Sequence, residues 1–116
     1  MNDYIGIRRY KDYQFINPSG SSIIVKEYSN AQESGFEVHI RGEEAVIAEF
    51  KTDHYLPFAN GEDIVRFDQD TVVIHYTFKN TDDAYEAREV TVDLKEKTAS
   101  EPKKSTLDLR VLRKQS

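Results

Sequence analysis

The feature that most constrains this chain is an alternation of apolar and polar residues with a period of two, repeated in separate segments. In Thr71–Lys79, Val72, Ile74, Tyr76 and Phe78 fall on one side, and Val73, His75 and Thr77 on the other. Arg88–Lys95 sets Val90, Val92 and Leu94 against Glu89, Thr91 and Asp93. Thr106–Arg113 sets Leu107, Leu109 and Val111 against Asp108, Arg110 and Leu112. Phe36–Arg41 sets Phe36, Val38 and Ile40 against Glu37, His39 and Arg41. Successive side chains on a strand point to opposite faces, so each segment offers one face to a core and one to water.

The breaks between segments carry turn residues: Asn17-Pro18-Ser19-Gly20, Arg41-Gly42-Glu43, Asn60-Gly61, Asp68-Gln69-Asp70 and Asn80-Thr81-Asp82-Asp83. Strands are expected at 4–9, 12–16, 22–28, 36–41, 45–51, 64–68, 71–79, 87–95 and 105–112. Eight or nine short strands at even spacing predict an all-β fold, an antiparallel meander forming a small barrel or sandwich with at most one or two short helical turns. Two segments fit less well. Glu43–Phe50 is rich in helix formers but is read as a strand. Thr81–Arg88 opens with potential caps and is read as a turn or one helical turn.

The 116 residues fit one domain, 1–116. Within it, 96–105, with Pro102 and two adjacent lysines, reads as an exposed loop or linker before the last strand. That strand would either close its own sheet or exchange into a homodimer, because an apolar strand at a chain end is otherwise an aggregation hazard.

Charge and composition narrow the partners. The net charge is −5, which disfavours nucleic acid, since phosphate binding draws on clustered Lys and Arg. The charge is uneven: Lys95–Ser116 holds seven basic residues against three acidic ones, the remainder nine against eighteen. With no cysteine there is no disulfide frame and no thiolate chemistry. The longest apolar run, Ala45–Ala48, is far short of the roughly 20 residues that span a bilayer. Met1–Tyr4 lacks the pattern of a secretory signal. Together these features lead us to expect a cytoplasmic protein without a membrane partner.

No motif for catalysis, metal or cofactor stands out. His39, His54 and His75 lack metal-ligand spacing and read as solvated or ordinarily hydrogen-bonded. Asp63, Asp68 and Asp70 read as turn aspartates, because the calcium-loop pattern is absent. The five glycines form no phosphate loop, and Ser19, Ser21 and Ser22 lie in no nucleophile-elbow pattern. Asp53-His54 is the most enzyme-like pair, but an acid–base pair is recognised by geometry.

The aromatics are more informative. Tyr4, Tyr10, Tyr13 and Phe15 are interleaved with Arg8, Arg9 and Lys11, and Tyr55, Leu56, Pro57 and Phe58 form an apolar loop. Tyr and Arg bury large area while keeping a polar handle, which suits interfaces. The expected function is therefore a non-enzymatic interaction domain, bacterial or phage-encoded, that binds a protein partner through Tyr4, Arg9, Tyr10, Tyr55, Leu56 and Phe58. The alternative is a small-molecule-binding β-barrel, and the third reading is an enzyme with an Asp53–His54 acid/base pair.

Zinc, calcium or a chelator should leave the melting temperature unchanged, because an ion held only by the native state would raise it by mass action. A reproducible rise of several degrees with one ion would reopen the Asp63–Asp70 cluster.

Overall fold

A computed structural model of the chain describes residues 9–29, 34–51, 65–79 and 85–107. The described residues form nine strands: β1 (Arg9–Phe15), β2 (Ile23–Ser29), β3 (Ser34–Ile40), β4 (Ala48–Lys51), β5 (Val65–Asp68), β6 (Thr71–Lys79), β7 (Tyr85–Asp93), β8 (Thr98–Ala99) and β9 (Lys103–Lys104). No helix occurs among the described residues, and in particular none is long and apolar enough to cross a membrane. Every strand pairing is antiparallel. One sheet has the order β1-β2-β3-β4; in the other, β5, β6 and β7 are consecutive neighbours and both β8 and β9 pair with β7.

The two sheets share one core in a sandwich-like stack. Ile23, Val25, Phe36, Val38, Ile40 and Ala48 from the first sheet pack with Val65, Val72, Ile74, Tyr76, Val90, Val92 and Leu94 from the second. The Phe36 ring meets Tyr76 edge-on, with centroids 5.3 Å apart, and Phe50 lies 6.4 Å from Tyr76. Burial drives this stacking, because each sheet has one apolar face that only the other can cover. Turn chemistry then fastens one end. Asn17, buried in the β1–β2 turn, donates from Nδ2 to the Gln69 carbonyl in the β5–β6 turn at 2.7 Å.

The hairpin expected from 71–79 and 87–95 is present as β6 and β7, and its described inward side chains are those the alternation selects. Other boundaries shift. The strand expected at 45–51 is only β4, since 41–47 forms an irregular turn. Residues 85 and 86, read as part of a turn or helical turn before the strand at 87–95, belong to β7, where pairing with β6 extends to Lys79↔Tyr85. Tertiary pairing overrides the local preference of this stretch. Ser105–Leu107 is not strand, and the rest of the strand expected at 105–112 lies outside the described residues, as does 4–8 of the first.

The stretch 95–104 is exposed and lies along β7. Between Ala99↔Val92 and Lys103↔Glu89 it advances four residues while β7 advances three. β8 and β9 are thus two halves of one strand broken by a one-residue bulge at 100–102. Pro102, with no N–H to give a ladder, sits in that break.

Truncating Ile74, fully buried between the sheets, to Ala should cost about 2–4 kcal/mol in urea unfolding. A loss below about 0.5 kcal/mol would mean that this face of β6 is not the core.

Candidate functional site

The outer face of the first sheet carries the densest polar and aromatic arrangement among the described residues. Strand register places its side chains in three cross-strand lines. Tyr10, Tyr28, Gly35 and Lys51 form one, Asp12, Lys26, Glu37 and Glu49 the next, and Gln14, Ile24 and His39 the third. Such a face is ordinarily wet. Here all seven residues of β3 are buried, so its outward members Gly35, Glu37 and His39 are covered as well.

Tyr28 provides part of that cover. Its ring lies against Gly35, where an added Cβ would come within 2.6 Å of the Tyr28 hydroxyl oxygen and closer still to the Phe50 carbonyl oxygen. The close approach therefore requires glycine. Tyr10 packs beside Tyr28, with ring centroids 6.4 Å apart, and Lys51 Nζ stands 5.6 Å from the Tyr28 ring centre. Burial pushes the Tyr28 hydroxyl above its usual pKa; Glu49 adds to the rise and Lys51 opposes it.

A hydrogen-bonded chain runs beneath Tyr10. The Tyr10 hydroxyl donates to Glu37 Oε2 at 3.2 Å, and Glu37 Oε1 lies 3.1 Å from His39 Nε2. His39 Nδ1 lies 3.1 Å from the Glu44 carbonyl oxygen. A carbonyl only accepts, so Nδ1 carries the proton in that bond. The Glu37–His39 approach then needs a further proton between carboxyl and ring. Both partners are buried, so each satisfies the other where water cannot. Lys26 Nζ, 3.7 Å from Asp12 Oδ2, is a partly exposed pair of little energetic weight.

Beside this chain is an open hollow of about 300 Å³, lined by Ile24, Lys26, His39, Gly42, Glu43 and Glu44. Gly42, at φ 89°, supplies the left-handed turn in its wall. His39 is engaged at both nitrogens, so the hollow gains no uncommitted imidazole for acid–base work. No group of three or more metal-ligating side chains occurs among the described residues.

Of the expected interface residues, Arg9 and Tyr10 are described. Both are exposed on β1, and alternation sends them to opposite faces. Tyr4, Tyr55, Leu56 and Phe58 lie outside the described residues, as do Asp53, His54 and Asp63. Asp68 and Asp70 are exposed at the β5–β6 turn.

A second polar cluster sits on the outer face of the other sheet. His75, Glu89 and Ser105 are all buried. Ser105 Oγ is 2.7 Å from His75 Nδ1, and Glu89 Oε1 is 3.8 Å from the same nitrogen. In a nucleophile–base–orienter relay, serine and carboxylate use opposite ring nitrogens. Sharing Nδ1 makes this set a structural tie. Hairpin register alone places His75 opposite Glu89, but nothing local in the sequence brings Ser105 to them.

Comparison of the chain with protein-family models, curated proteins and solved structures finds no match. The fold defines the class: an all-β domain of two antiparallel sheets.

Gly35→Ala should destabilise the protein by about 1–3 kcal/mol in urea unfolding, the usual cost of forcing an extra carbon into a filled space. A variant within about 0.5 kcal/mol of wild type would show that Tyr28 does not pack tightly on Gly35.

Proposed function

We propose that this protein is a non-enzymatic binding module that engages a protein partner through the Tyr10 side of the first sheet. The supporting observation is Tyr10 itself: 50% exposed, yet held at its ring by Tyr28 and at its hydroxyl by buried Glu37. A tyrosine ordered before binding loses little side-chain entropy on association and presents a large amphipathic surface. Asp12, Gln14, Lys26, Glu49 and Lys51 surround it with both signs of charge, which suits a polar rim about an aromatic anchor. The cysteine-free composition accords with action in the cytoplasm.

The small-molecule reading has weaker support. The described space between the sheets is occupied by fully buried side chains such as Phe36, Ile74 and Tyr76. The hollow beside His39 is open and at the lower end of ligand-pocket sizes.

Wild type and Tyr10→Ala should be compared as baits, with Glu101→Ala as a distant control, and the captured partner then purified for affinity measurement. Tyr10→Ala should weaken binding by about tenfold or more, as loss of an aromatic anchor does, and cost about 1–3 kcal/mol of stability through the lost bond to Glu37 while leaving the protein folded. Equal affinity for all three proteins would remove Tyr10 from the interface. Unfolding of Tyr10→Ala would make the residue structural.

A further inference from the structure

Among the described residues, the edges of the two sheets are not alike. β4 and β5 are each four residues long, and the β8–β9 edge is broken by the bulge that holds Pro102. Short strands, bulges and proline are the usual guards of an open ladder. β1 has none of these. It runs seven residues without a break, pairs with β2 among the described strands, and is exposed from Arg9 to Asp12.

The ladder fixes which backbone groups this edge offers. Arg41 N donates to the Ser22 carbonyl at 2.9 Å, which makes Ser22 and Arg41 a hydrogen-bonded pair just beyond Ile23↔Ile40. Bonded and non-bonded pairs alternate along antiparallel strands. Ile24, Lys26 and Tyr28 therefore bond β3, while Ile23, Val25, Glu27 and Ser29 bond Phe15, Tyr13, Lys11 and Arg9 of β1. The Ile47 N bond to the Val38 carbonyl agrees, because it turns Val38 toward β4 and away from β2. The amides and carbonyls of Tyr10, Asp12 and Gln14 are left on the open edge. Their side chains lean the other way, across the sheet. Tyr10 reaches Glu37, Asp12 lies 3.7 Å from Lys26, and Gln14, with its amide oxygen turned to Arg41, accepts from Nε at 3.0 Å.

We propose that β1 pairs antiparallel with β1 of a second copy of this chain, about a two-fold axis at Tyr13. Such an axis stands normal to the sheet and passes through a residue, so that opposite residues share a face. Charge selects which residue. Centred on Tyr10, Lys11 or Asp12, the pairing would set Arg9 against Lys11, Lys11 against itself or Asp12 against itself. Like charges directly opposite are destabilising. Centred on Gln14, it would set Tyr10 opposite Pro18, which has no N–H to return. The Tyr13 axis avoids all four. Asp12 then faces Gln14, and Lys11 faces the Phe15 ring, which accepts a cation. Tyr10 and Ile16, 50% and 58% exposed, face each other on both sides of the axis. Tyr13 and Phe15, partly buried at the rim of the core, gain further cover. Pairing uses the β1 backbone and extends the outer face instead of covering it, so it stands or falls apart from binding at the Tyr10 ring.

Amide exchange and sedimentation of the full chain test this. Raising the concentration from about 0.01 to about 0.5 mM should slow exchange of the Tyr10, Asp12 and Gln14 amides about threefold or more, and leave Val25 and Ile74 unchanged. Sedimentation should move from the 13.4 kDa monomer toward twice that mass. Gln14→Pro removes an N–H from the open edge and none from the β1–β2 ladder, so it should stay folded and monomeric. Because the chain has no cysteine, a single introduced one reports the axis. Under mild oxidation Tyr13→Cys should give a disulfide dimer, since opposite residues of a non-bonded pair stand about 4.5 Å apart at Cα. Asp12→Cys should not, its two copies lying more than about 7 Å apart. The pairing is overturned by a monomer at about 0.5 mM, by exchange at the three amides that ignores concentration, or by a dimer that survives in folded Gln14→Pro. Crosslinking through Asp12→Cys in place of Tyr13→Cys overturns the axis.

Discussion

The edge of Phe36 in β3 against the face of the second sheet at Tyr76 marks the constraint on which this protein depends. Neither sheet can cover its own apolar face. Val25, Val38 and Phe36 are wholly buried only because Val72, Ile74, Val90 and Val92 lie across from them, and the reverse holds as well. With no disulfide available, this shared burial is the main source of stability, and the Asn17–Gln69 bond adds orientation more than energy.

The candidate site follows from how the first sheet treats its other face. β3 is the inner strand between β2 and β4, and cross-strand neighbours cover its outward side. Covering Glu37 and His39 requires polar partners, which Tyr10 and the 42–44 turn supply. Tyr10 thereby becomes ordered while remaining half open to solvent. A bond that satisfies a buried carboxylate thus also orders a half-exposed aromatic side chain. The second sheet uses the same device differently: His75 and Glu89 gain cover from Ser105 and Thr106, which fixes a chain segment instead of a side chain.

Much of the fold was legible in the alternation. Val72, Ile74, Val90 and Val92 could be assigned to the core because their strands have one clean apolar face and pair directly. The 45–51 boundary was not legible, because Ala45-Val46-Ile47 is apolar without being strand, and Val46 is 48% exposed. β8 and β9 were hidden because each is only two exposed residues long, too short to show a hydrophobic period. Aromatic and basic crowding singled out Tyr10 as a candidate, but its bond to Glu37 was not visible in the sequence. Nor was the Glu37–His39 pair, since a strand's polar side reads as solvated unless its cover is known, and that cover arrives from Tyr10 in another strand and Glu44 in a turn.

If each sheet is viable only against the other, the two must unfold as one. Native-state hydrogen exchange across a urea series measures this directly, by comparing the slowest amides of β2 and β3 with those of β6 and β7. The opening free energies of both sets should converge on one line with the slope of global unfolding. Two separate lines, with β6 and β7 still protected after β2 and β3 have opened, would contradict the shared core as the source of stability.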